Sequence, residues 1–173
     1  MVISAQRFRN LAAQLTSRIR DAAPAAILHI EEHDNAYCCI SWRLNRCRER
    51  ELFVEQPGYV IAPPSLRVGI YFQDAQEVTA RPDSRQVALE VLAQQRLLLQ
   101  RLGVSCTFTP GSNARDDRIF GWSDQELTEW LTSKSENRDL VWRWDLREGE
   151  PSPQQFDDVL VALLAVWVVW NSL

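Results

Sequence analysis

The chain has 173 residues, 46% hydrophobic and 24% charged, the make-up of an ordinary globular protein, and a length that suits a single domain spanning 1–173. Its net charge of −4 argues against a protein built mainly to grip a nucleic-acid backbone, which needs a basic surface. Mild acidity suits solubility and a basic partner instead.

The four cysteines, Cys38, Cys39, Cys47 and Cys106, form no C-x-x-C pair, and adjacent Cys38 and Cys39 are poorly placed to bond to each other. The opening MVISAQRFRN lacks the apolar core of a secretory signal. Together these predict a reduced, cytoplasmic protein.

In chain order, residues 4–21 predict an amphipathic helix. Phe8, Leu11, Leu15 and Ile19 share one face, and Pro24 lies just beyond its end. In AAILHIEEHDNAYCCISWRL, two apolar runs flank Asp34 and Asn35, the pattern of a β-hairpin. A further strand is expected near residues 52–55. Another covers LRVGIYFQ, where Val68, Ile70 and Phe72 alternate with Arg67 and Tyr71. Residues 84–102 predict a helix opened by an Asp83/Gln86 capping box and ended by Gly103. Its apolar stripe is Ala88, Val91, Leu92, Leu98, Leu99 and Leu102.

VSCTFTP and RIFGW read as strands, and Ser123 with Glu126 as the opening of a short helix. DLVWRWDL reads as a strand with Trp142 and Trp144 on one face. Ser152, Pro153 and Gln155 announce the last helix. Strands in consecutive runs joined by turns predict an α+β fold. Its sheet is mainly antiparallel, of about five to seven strands, packed against an N-terminal, a central and a C-terminal helix.

The only histidines, His29 and His33, sit in HIEEH. The letters fit H-x-x-E-H, a pattern seen in inverted zinc metalloproteases, where a helix carries both histidines to one metal. The turn and β-branched residues that follow predict a strand here. On a strand His29, Glu31 and His33 fall on alternate positions, which offers a His/Glu/His set for zinc. A metal-binding protein or hydrolase centred on this segment is therefore one alternative.

A second alternative is a nucleic-acid-associated accessory factor. Arg43, Arg46, Arg48 and Arg50 would hold phosphates beside Trp42, although Glu49, Glu51 and Glu55 dilute their field. No phosphate-binding glycine loop and no G-x-S-x-G nucleophile elbow occurs, and no catalytic residue is assigned.

What remains is a non-enzymatic interaction module of the dedicated-chaperone, immunity or antitoxin, or accessory-subunit type, with no required cofactor. Its expected partner is another protein, a second copy of the chain included, rather than nucleic acid or membrane. Asp116, Asp117, Asp124 and Glu126 would steer a basic partner. The run Val159 to Trp170 holds twelve residues without a polar group. As a helix it presents two stripes. Phe156, Leu160, Leu163, Trp167 and Trp170 are expected on the sheet. Val159, Ala162, Val166 and Val169 remain for another helix of the chain or, through Val159, Val166 and Val169, for a partner.

Overall fold

The computed structural model describes residues 5–33, 37–43, 51–56, 65–72, 80–107, 123–125, 127–128 and 139–173. Side chains are described for these residues except 5–9, 11–12, 31–33, 37–38, 56 and 106–107. Its elements are α1 (Ala5–Ala22), β1 (Ile27–His33), β2 (Tyr37–Arg43), β3 (Glu51–Gln56) and β4 (Ser65–Tyr71). They continue with α2 (Pro82–Arg101), β5 (Val104–Thr107), β6 (Asp139–Asp145), a 3₁₀ turn (Leu146–Glu148) and α3 (Pro153–Ser172). The six strands form one antiparallel sheet in the order β1-β2-β3-β4-β6-β5. The α+β architecture and the N-terminal, central and C-terminal helices agree with the sequence reading.

Strand alternation divides the sheet into two unlike faces. One row crosses it through Ile40, Val54, Val68, Trp142 and Val104, and the next through Trp42, Leu52, Ile70 and Leu140. These residues are buried and share one core with the helices.

α3 lies centrally in that core. Phe156, Val159, Leu160, Ala162, Leu163, Val166, Trp167 and Trp170 are all buried along it. Near its start, Phe156 meets Trp142 edge-on at 6.4 Å. Near its end, Trp170 meets Phe72 edge-on at 4.7 Å. Its N-terminus is closed as predicted: Gln155 N–H donates to Ser152 Oγ at 3.2 Å, and Ser152 N–H donates to Gln155 Oε1 at 3.0 Å. At twenty residues α3 is long and apolar enough to cross a membrane by length and composition. Its buried residues are also those that cover the sheet, the pattern of a core helix.

α1 is tied to the same core by Leu15, Ile19 and Ala23. The indole N–H of fully buried Trp42 donates to Thr16 Oγ1 at 3.1 Å.

α2 begins earlier than predicted. Pro82 occupies its first turn, Arg81 is the N-cap, and no side chain caps it. The Asp83/Gln86 box does not form because Pro82 already fixes helical φ one residue upstream; Gln86 instead donates to Glu90 at 2.7 Å. Gly103, at φ 77°, ends the helix in the left-handed conformation. Of the predicted stripe, Ala88, Leu92 and Leu99 are buried, whereas Leu98 is 45% exposed.

Candidate functional site

On the sheet face away from the helices, rows of polar residues run between strands. Glu31, Cys39, Glu55, Arg67 and Arg143 occupy one row of register positions. His29, Ser41, Phe53, Gly69 and Val141 occupy the next. Ser41, Ser65, Ser105, Glu51, Glu55 and Asp139 are all buried here.

Burying such groups is costly unless they are paired. Arg67 makes an ion pair with Glu55, its cross-strand neighbour, and Arg43 makes one with Glu51. The Phe53 ring covers Gly69, stacks on Tyr71 at 4.3 Å, and receives the Arg67 guanidinium at 5.9 Å. Burial raises the Tyr71 phenol well above the ordinary tyrosine range, helped by the charges of Glu55 and Asp139. Tyr71 also packs against a small apolar cluster of Cys39, Phe53 and Val141, so this layer combines ion pairs with buried apolar side chains.

That geometry bears on the predicted residues. The HIEEH segment is strand β1, with His29, Glu31 and His33 at alternate positions opposite Ser41, Cys39 and Tyr37. The side chains of Glu31 and His33 lie outside the described ones; His29 is half-buried. No group of three candidate metal ligands occurs among the described residues. Arg43 is engaged with Glu51, and Trp42 points to the opposite side, into the core. Trp42 therefore has no face on which to stack a base. Arg46, Arg48 and Arg50 lie outside the described residues, as do Asp116, Asp117 and Glu126. Asp124 is exposed, 3.9 Å from the Arg96 guanidinium.

Val159 and Val166 are buried at 1% and 2% exposure, and Val169 is half-buried. Val159 and Val166 thus belong to the chain's own core. The most exposed large apolar residue of α3 is Val161, at 64% exposure, which belongs to neither predicted stripe.

Val161 marks the more open side of the molecule. α2 packs along α3, whereas α1 meets α3 at only a few places. A cavity of about 560 Å³ lies among the end of α1, the end of α2 and the first half of α3. Its apolar lining includes Leu98, Leu102, Leu160, Val161 and Leu164; its polar lining is Arg18, Asp21, Gln154, Asp157 and Asp158. A second cavity, of about 660 Å³, lies between the start of α1 and the loop before α3, over Leu15, Leu66 and Phe156. Arg18 and Asp157 line both and form an ion pair with each other, so one bridge stands between two hollows. Among the described residues that line the 560 Å³ groove, Arg18 is the cation that this bridge neutralises, and Asp21 and Asp158 are the charges outside it.

The sequence carried two signals for this groove: the Asp157-Asp158 pair ahead of an apolar run, and a valine outside both stripes. Neither reveals that α1 stands apart from α3. Compared with known protein families, curated proteins and solved structures, the chain finds no match.

Proposed function

We propose that the protein is a non-enzymatic interaction module that takes a partner's amphipathic helix into the groove between α1, α2 and α3. The observation that carries this reading is the groove's composition. Solvent-facing Leu98 and Val161, 45% and 64% exposed, sit in a hollow of about 560 Å³ where the described charges outside the Arg18–Asp157 pair are acidic. Helix-in-groove recognition inserts apolar residues spaced at i, i+3/i+4 and i+7, while flanking charges set orientation and partner choice. The fitting partner is a helix with apolar anchors and Lys or Arg on their flanks. The chain's net charge of −4 favours the same sign of partner.

The test is calorimetric titration of the full chain with a Lys-flanked amphipathic helical peptide and with its Glu-flanked analogue. The expected result is saturable binding of the first alone, weakened by salt. It falls about tenfold or more in Val161→Asp, a change at an exposed position that leaves the fold intact. Equal affinity for both peptides, or binding indifferent to Val161→Asp, contradicts the proposal.

A further inference from the structure

The sheet ends in two unlike edges. β5 is four residues long, whereas β1 is seven and pairs with β2 along its whole length, from Ile27 opposite Arg43 to His33 opposite Tyr37. No described strand borders β1 on its other side. Long edge strands expose rows of backbone donors and acceptors and are normally guarded by charged side chains, lysine above all, by proline or by a bulge. ILHIEEH contains neither lysine nor proline and pairs with β2 without a bulge; its charged residues are Glu31 and Glu32, whose placement limits the registers a second strand can take. Two large apolar residues on it, Ile27 and Ile30, are 53% and 42% exposed.

We infer that β1 is a self-pairing edge: two copies of the chain join antiparallel through β1 about a twofold axis at Ile30. The inference is independent of the groove and rests on the order of residues in the strand. Ile30 is the middle residue of Ile27–His33, so full overlap puts Ile30 opposite its own copy. The same register puts His29 opposite Glu31 twice, once on each side of the axis, matching an imidazole position with a carboxylate position. Sliding the strands by two residues in one direction puts His29 opposite His29. Sliding them in the other puts Glu31 opposite Glu31. The first slide loses both imidazole–carboxylate matches, and the second sets two carboxylates directly opposite, which destabilises an antiparallel pair. Full overlap is therefore the favoured register of the three, and it is isologous, as a closed dimer requires. It also keeps both helical layers on the same side of the joined sheet.

Sedimentation velocity of the full chain over a concentration series tests this, with circular dichroism to confirm folding. The wild type is expected to show a concentration-dependent dimer. Ile30→Lys sets a charge opposite its own copy, and His29→Glu sets Glu31 against a second carboxylate. Each raises the dimer dissociation constant by about tenfold or more. The exchange of His29→Glu together with Glu31→His restores the pairing and the dimer. A wild type that remains monomeric at about 100 μM overturns the inference, as does a dimer indifferent to both single changes. Loss in the single variants without recovery in the exchange overturns the register.

Discussion

α3 makes two seams, and they differ in kind. Against α2 and the sheet it is closed, with fully buried Leu163 and Trp167 at its centre. Against α1 it is open, spanned by the Arg18–Asp157 bridge with a hollow on either side. One helix thus serves two purposes, set by which residues fall on which side. Its buried positions hold the fold, and the groove side, where Val161 lies, is free to meet something else. Deep burial of apolar surface is where folding energy resides. An exposed ion pair contributes little to it.

The contrast predicts an ordered series of effects. The largest comes from the closed seam. Trp167→Ala or Leu163→Ala, each at a fully buried position, lowers stability by about 3–5 kcal/mol in chemical denaturation. A smaller loss follows from crowding the sheet's polar face. A Cβ at Gly69 would lie 2.5 Å from the Leu140 carbonyl oxygen and 2.7 Å from the Phe53 ring, and the Leu140 contact is backbone that cannot turn away. Gly69→Ala costs about 1–3 kcal/mol, read as a lowered melting temperature.

Tyr71 gives the same face a pH signature. Its phenol is held neutral in the folded state, while in the unfolded chain it ionises near the ordinary value of 10.0. A raised folded value means that the stabilisation is complete below that pH and is lost as pH rises above it. Stability is therefore expected to fall on the alkaline side, and Tyr71→Phe should flatten that decline. A base titration of the melting temperature for the two chains checks this.

At the open seam the expectation reverses. Arg18→Ala removes an exposed pair and leaves the melting temperature nearly unchanged, whereas a comparable loss of stability would mean that the seam holds the fold after all.

Much of this architecture is legible in the residues themselves. The Ser152 capping box, the glycine after α2, the antiparallel pairing of β1 with β2 and the apolar rows of the sheet each follow from local chemistry. Where the sequence reading departs from the structure, tertiary packing is the reason. Leu98 shares its period with buried leucines, yet it faces a hollow because α1 does not close over it. For Val159 and Val166 the period left open another helix of the chain or a partner, and packing buries both in the chain's own core. Glu55 and Arg67 stand in two separate predicted strands; register makes them cross-strand neighbours and burial makes them a pair. Periodicity tells which residues share a side of an element, and only packing tells what that side meets.

The smallest structural perturbation gives the most direct test. Amide chemical shifts of the full chain can be followed by NMR during titration with the Lys-flanked peptide. The account predicts changes concentrated at the groove, around Asp21, Leu98, Asp158 and Val161, and little change along the α2 side of α3 or in β1. Saturable changes centred on the sheet edge or on the closed seam, or no change at all, would contradict it.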